Sequence, residues 1–386
     1  MKIAICAIGY NRVDSLSRLL SSLNAAVYDE NVTLIISLDR SKTLDVKTYS
    51  DEFEWKHGEK KVILQECNLG LRKHVLRCGQ YMNDYGFDAL VVLEDDITVS
   101  PYFYSYVKQC VIQYQNDDCI AGISLYSFPI NYITGYPFTP VDSEHDVYLM
   151  NCAMSWGQVW IKEKWNKFID WYNRNDEEFS LPHLPAPINQ WPKSSWLKYH
   201  TRYCIENDLY FVYPYVSLTT NNSDPGTHNK VGHTYMQSRL QCLPRKVWNL
   251  PPSSKIEVRY DGFFEPKFLY DHLHIDEEQL TINIYGTKTN SKNRYELSMN
   301  VLPYKVVKSF GLKYKPIEAN VLFDVDGNDI YLYDKSQGGL MCSVCPYYRV
   351  IEYFYFNVFD KLCVWHNLKY AIFNYFRYHY LNKFKK

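Results

Sequence analysis

An α/β fold with a mainly parallel central sheet is what this sequence predicts, and three observations carry the prediction. Short β-branched apolar runs alternate with helical apolar periodicity through the first hundred or so residues. One of those runs, Val91-Val92-Leu93, leads straight into Glu94-Asp95-Asp96. An aromatic helical pattern then opens at Ser100-Pro101 and continues through Tyr102, Phe103, Tyr106 and Val107. Three adjacent anions repel one another, so they are tolerated where something positive sits among them. They also lie where a buried strand emerges, and in open α/β sheets that carboxyl end is where ligands bind. An oxygen-only cluster suits Mg²⁺ or Mn²⁺ rather than zinc. The competing reading is an acidic strand-to-helix turn in which Ser100 or a neighbouring acid caps the helix.

Each element follows from its own pattern. Lys2 to Ile8 is a first buried strand, because its apolar run is short for a signal peptide and Asn11, Arg12 and Asp14 interrupt it. Ser15 to Leu23 places Leu16, Leu19, Leu20 and Leu23 on one helical face. Thr33 to Leu38 is a second strand ending at Asp39, and Lys61 to Gln65 a third. Asn68-Leu69-Gly70 then leads into a helix from about Leu71 to Tyr85. Ala89 to Leu93 is the fourth strand, which delivers the acids. This βαβαβ order implies right-handed crossovers.

Ile120 to Leu125 and Val147 to Met150 read as further strands, and Ser155-Trp156-Gly157 begins an aromatic segment. Four prolines between Leu181 and Pro192 exclude a regular helix, so a loop is expected there. A helix from about Ser195 to Asn207 and a strand at Tyr210 to Val216 follow. The motif-bearing region ends near Leu243-Pro244, which sets the expected units at 1–245, a small accessory region at 246–340 and a tail at 341–386. Within the accessory region the run from Asp324 to Asp329 lacks the spacing and closing Glu of a calcium loop, and a hairpin turn is expected.

Composition narrows the function classes. Hydrophobic residues make up 46% of the 386, ample for a core. A net charge of −1 offers no basic field to neutralise phosphates along the chain, so nucleic acid is not the expected partner. The positive charge is concentrated at the end: Pro346 to Lys386 carries seven lysines and arginines against Glu352 and Asp360. Tyr370, Phe373, Phe376 and Tyr380 recur there at a helical rhythm, the pattern of a basic amphipathic helix on an anionic membrane surface or of a helix packed on the body. The 11 cysteines are scattered, which fits a reducing, cytoplasmic setting, and Cys342-x-x-Cys345 reads as a pair of ordinary thiols. Without an apolar stretch of about 18 residues, no spanning helix is expected.

The order of motifs resembles a GT-A fold glycosyltransferase of the N-acetylglucosaminyltransferase I type and its bacterial polysaccharide-making relatives. The resemblance rests on Ala7-Ile8-Gly9-Tyr10-Asn11-Arg12, Ser37-Leu38-Asp39-Arg40-Ser41, Asn68-Leu69-Gly70-Leu71-Arg72 and, above all, Leu93-Glu94-Asp95-Asp96-Ile97 with the helix behind it. It covers residues 1–243 and implies a Rossmann-like sheet flanked by helices, a nucleoside diphosphate sugar donor (UDP-linked), Mn²⁺ or Mg²⁺, and an inverting transfer to a cell-surface glycan or lipid-linked acceptor. Asp96 would hold the metal, with Asp95 and Glu94 facing the nucleotide sugar. Arg12 and Asp39 would frame the nucleoside, or Arg12 is a solvated cation and Asp39 a cap. Arg72 and Lys73, cations at a helix start where the dipole disfavours them, would meet an anion. The Thr219 to His228 loop would close over the donor, with His228 completing the metal shell or lying on the surface.

The catalytic base departs from the family pattern. An inverting transferase needs a carboxylate to accept the acceptor hydroxyl proton. Leu197, in Ser194-Ser195-Trp196-Leu197-Lys198-Tyr199, stands where the family places an Asp. Glu206, Asp208 and Asp224 are the substitutes in reach of sequence reasoning. Trp156, Trp191 and Trp196 would either stack on sugar faces or belong to the core. Two rival readings follow: a glycan-binding relative without its base, and a sugar nucleotidyltransferase, although Gly9 stands alone where the latter needs a glycine-rich loop.

Overall fold

The structure is a computed structural model that describes residues 1–224, 236–245, 247–289, 291–339, 346–355, 365, 368–369, 371–373 and 375–376. Six of the first seven elements come in the expected order, and the helix α2 between the second and third strands is additional: β1 (Ile3–Gly9), α1 (Val13–Asn24), β2 (Thr33–Leu38), α2 (Asp45–Glu52), β3 (Lys60–Leu64), α3 (Gly70–Tyr85) and β4 (Ala89–Glu94). Next are β5 (Ile97–Val99), α4 (Phe103–Tyr114), β6 (Ile120–Ser124), β7 (Val147–Met150), β8 (Gln158–Ile161), α5 (Lys162–Tyr172), α6 (Ala186–Gln190), α7 (Leu197–Glu206), β9 (Tyr210–Pro214) and β10 (Thr219–Asn221). The remainder holds β11 (Arg259–Tyr260), α8 (Leu269–Leu273), β12 (Leu280–Ile282), β13 (Tyr295–Ser298), β14 (Tyr304–Phe310), α9 (Ala319–Leu322), β15 (Ile330–Gly338) and α10 (Pro346–Tyr355).

Nine strands form one sheet in the order β11-β7-β9-β6-β8-β4-β1-β2-β3. The pairs β1–β2, β1–β4, β2–β3 and β6–β9 are parallel, while β8 runs antiparallel to both β4 and β6. The fold class is therefore the mainly parallel, helix-flanked α/β sheet expected. Strand alternation gives each face its own core. Ile5, Ala7, Leu34 and Ile36 bury against Leu16, Leu19 and Leu20 of α1 and Tyr106 and Val107 of α4. Ala4, Cys6 and Ile35 point the other way, to Val75 and Cys78 of α3, Trp165 of α5 and Tyr199 of α7.

One glycine is dictated by packing on that second face. At Gly79, inside α3, an added Cβ would lie 2.2 Å from the Trp165 indole. Trp165 in turn stacks on Trp160 with ring centroids 3.7 Å apart.

The structure differs from expectation at four places. The acids do not run directly into a helix: β5 intervenes and pairs antiparallel with β10, Ile97 opposite Asn221. β8 enters the middle of the sheet unannounced, because a four-residue strand buried on both faces shows no alternation. The proline-rich stretch is not all loop, since it contains the single-turn α6, where proline occupies the first turn and needs no N–H partner. The Asp324–Asp329 run is not a hairpin turn: β14 and β15 do pair antiparallel, but α9 lies in their connection. Beyond residue 245, β11 still joins the large sheet beside β7, and a separate sheet of order β12-β13-β15-β14 has its own core around Leu280, Ile282, Leu297 and Leu332.

Candidate active site

Because β1, β2 and β4 are parallel neighbours, the turns after them share one edge of the sheet. Arg12, Asp39 and Glu94-Asp95-Asp96 therefore gather there, as parallel topology requires. Arg12 supplies the positive charge that three adjacent acids demand. Its Nε donates to Asp95 Oδ2 at 3.2 Å, its Nη2 to Asp95 Oδ1, and Nη2 also lies 3.4 Å from Asp96 Oδ2. The solvated-cation reading of Arg12 is thereby excluded.

One guanidinium does not balance the cluster. Burial, with Asp96 and Asp95 adding to it, pushes the Glu94 carboxyl up to about 8, against the hydrogen bond from Trp196 Nε1 at 3.4 Å. Burial also lifts Asp95 to about 6 although Arg12 pulls it down. Asp96 Oδ1 is buried without any hydrogen-bond partner. A buried anionic oxygen left unpaired costs stability unless a charge comes to it. The residues therefore fit a hard divalent ion of the sparsely held kind, bound by one or two carboxylates and completed by water and phosphate oxygens. Among the described residues no group of three or more Asp, Glu, His or Cys side chains forms a complete cage. His228 lies outside the described residues.

The strand pair β5–β10 forms a wall beside the acids. Asn222 locks it by donating from its backbone N–H at 2.8 Å and its side-chain amide at 3.0 Å to the Asp96 carbonyl. Asp224, two residues on, accepts from Ser15 Oγ at 2.8 Å and from Arg18, both on α1. It is close enough to Asp95 for its charge to raise that carboxyl. Ser15 and Arg18 were not visible as site residues in the sequence, whereas Asn222 falls in the Thr219 to His228 loop expected to close over the donor. The one signal available was that Ser15 and Arg18, three apart, share a helical face next to the Arg12 turn.

Asp39 is 5% exposed and bound to backbone. Its Oδ1 accepts from Arg40 N–H at 2.9 Å and Leu69 N–H at 2.8 Å, and its Oδ2 from Gly70 N–H at 2.9 Å. It thus caps the start of α3 across thirty or so residues of sequence. Arg72 donates to the Tyr199 hydroxyl at 2.8 Å and lies over that ring, and Lys73 is exposed.

The three base candidates separate. Glu206 ends α7, whose first residue adjoins Trp196, and ten helical residues put it roughly 15 Å along the axis from that end. There it pairs with Arg202 at 2.8 Å and His183 at 3.2 Å. Asp208 precedes β9, at the amino edge of the parallel sheet and opposite the acids, where it meets Tyr210 and Lys267. Asp224 alone of the three adjoins the acid cluster. Leu197 is a core residue, 7% exposed. Trp196 is buried against Trp160, whereas Trp156 and Trp191 are half-buried.

A protein-family model described as the SPBC1E8.03c C-terminal domain matches residues 14–176, less than half of the chain. No curated protein matches it. Among solved structures, S. aureus TarS 1-349 in complex with UDP-GlcNAc is similar at 12% identity and a TM-score of 0.38, covering 60% of this chain and 62% of that one. The mannosyltransferase PcManGT from Pyrobaculum calidifontis, with GDP-Man and Mn²⁺, is similar at 9% identity and a TM-score of 0.35, covering 55% of this chain and 54% of that one. Mouse xyloside xylosyltransferase 1 is similar at 10% identity and a TM-score of 0.36, covering 55% of this chain and 84% of that one. The chain thus spans less than two thirds of the first two.

Proposed function

We propose that this protein is a metal-dependent glycosyltransferase that takes a sugar from a nucleoside diphosphate donor, UDP-linked, and passes it with inversion to a glycan or lipid-linked acceptor. The observation that carries the reading is the buried, unpartnered Asp96 Oδ1 inside a cluster of acids at the carboxyl edge of a parallel sheet. The motif resemblance supplies the donor class.

In this reading Asp96 holds the divalent ion, which supplies charge stabilisation to a departing diphosphate. Glu94, uncharged at neutral pH, presents a hydroxyl as well as a carbonyl to the donor's hydroxyl groups. Arg12 neutralises Asp95 and keeps that side chain oriented for the nucleotide. Asp224 is the base, placed beside the acids by Ser15 and Arg18.

The test is donor turnover by the native protein and by Asp96→Ala, with Mn²⁺ and a panel of nucleotide sugars. Turnover in the native protein that is lost in the variant supports the transferase. Leu197, a buried core residue where the family has its base, favours a second reading in which the protein binds nucleotide sugar without transfer. Donor binding with no turnover in either protein would select that one.

A further inference from the structure

Arg12 stands where the helix behind it does not call for a cation. It is the N-cap residue of α1, its side chain makes no capping hydrogen bond, and a positive charge at that end opposes the helix dipole. Asp14 in the first turn already supplies the charge that the dipole favours. The guanidinium reaches to the acids instead, with Nε and Nη2 donating to Asp95 and Nη2 lying 3.4 Å from Asp96 Oδ2. Its Nη1 has no hydrogen-bond partner among the described residues, and the side chain is 26% exposed. Two of the guanidinium nitrogens thus serve carboxylates, and the third keeps its donors for another acceptor.

These contacts set two cations against each other. A fixed positive charge 3.4 Å from the Asp96 carboxylate repels a divalent ion held by that same side chain. The repulsion is only partly screened, because the Arg12–Asp95 pair lies largely out of water. The cluster therefore binds a lone divalent ion more weakly than its carboxylates would without Arg12. A diphosphate reverses the balance. Its anionic oxygens are attracted to both cations at once, and the Nη1 donors are free to receive one of them, a pairing that suits guanidinium and phosphate. Linkage makes the effect mutual: a nucleotide that tightens the metal is itself tightened by the metal to the same degree.

We propose that Arg12 couples the two ligands of this site, keeping the acids weak toward a lone divalent ion and strong toward one that arrives with a nucleoside diphosphate. The inference rests on the transferase reading, which places the ion at Asp96. It is tested by titrating the full chain with Mn²⁺, with and without UDP, at mildly alkaline pH, and reading free Mn²⁺ by electron paramagnetic resonance. In the native protein UDP should tighten Mn²⁺ by about tenfold or more. Arg12→Gln, which removes the charge and keeps a donor for Asp95, should bind Mn²⁺ alone about tenfold tighter than the native protein, and UDP should add less than about threefold. Arg12→Lys, which keeps the charge, should retain the native pattern. Asp96→Ala should bind Mn²⁺ in neither condition. The inference alone is overturned if Mn²⁺ binds at Asp96 but Arg12→Gln holds it no tighter than the native protein. It is also overturned if the native protein holds Mn²⁺ equally with and without UDP, a measurement that needs no variant to fold. Absence of Mn²⁺ binding in the native protein under both conditions, or binding that survives in Asp96→Ala, would overturn the metal assignment and this inference together.

Discussion

Arg12, on the turn after β1, grips both carboxylate oxygens of Asp95, on the turn after β4. The two side chains are 26% and 8% exposed, so the pair lies largely out of water. Arg12→Ala strands the Asp95 charge and should cost about 2–4 kcal/mol at neutral pH, measured by urea unfolding. The loss should shrink below pH 6, where Asp95 takes up its proton and needs no counter-charge.

Asp96→Ala should behave in the opposite way. Asp96 Oδ1 has no partner to lose, and Oδ2 has only the 3.4 Å approach of Arg12. Folding stability should change by less than about 1 kcal/mol. UDP with Mn²⁺ should raise the melting temperature of the native protein and leave that of the variant unchanged, since a ligand stabilises only the state that binds it. A variant that retains the full rise would refute the assigned metal ligand.

Asp39→Ala removes the acceptor for three backbone N–H groups and should destabilise by about 2 kcal/mol. Asp39→Asn keeps one acceptor oxygen and should lose less. Amide hydrogen exchange should locate the damage at the first turn of α3.

Gly79→Ala should destabilise by about 1–3 kcal/mol despite the better helix propensity of alanine, because the new methyl meets the Trp165 ring. Pairing it with Trp165→Leu should recover part of the loss in chemical denaturation.

Glu318 is buried with Tyr260 donating to it, and burial raises its carboxyl from 4.5 to about 7. A carboxyl raised on folding stabilises fully below its unfolded value and loses that contribution as pH rises through the folded one. Stability should therefore decline between about pH 4.5 and 7 by up to roughly 3 kcal/mol from this group. Glu318→Gln, which keeps an acceptor for Tyr260, should flatten the decline in unfolding free energy measured across that range.

The parts legible in the sequence are those whose signal is local. Leu16, Leu19, Leu20 and Leu23 declared one face of α1, and the run from Val91 declared β4, because periodicity and burial are written within a few residues. The demand of three acids for a cation was readable, and Arg12 meets it from 83 positions away. What stayed hidden depends on tertiary pairing. Asp39 binds N–H groups about thirty residues on, Asp224 is held by α1 from the other end of the large-sheet region, and β8 is specified by the strands on either side of it rather than by its own four residues.

The place of β8 has a practical corollary. Until Gln158–Ile161 docks, β4 presents its outer backbone donors and acceptors as a bare edge, and β6 does the same from the far side. A fragment stopped near residue 150 would carry Arg12, Asp39 and the three acids and yet offer that edge to any neighbouring copy, so it should clump rather than fold cleanly. A soluble minimal unit has to extend at least through β9, where the gap has been filled and both sides of it are zipped.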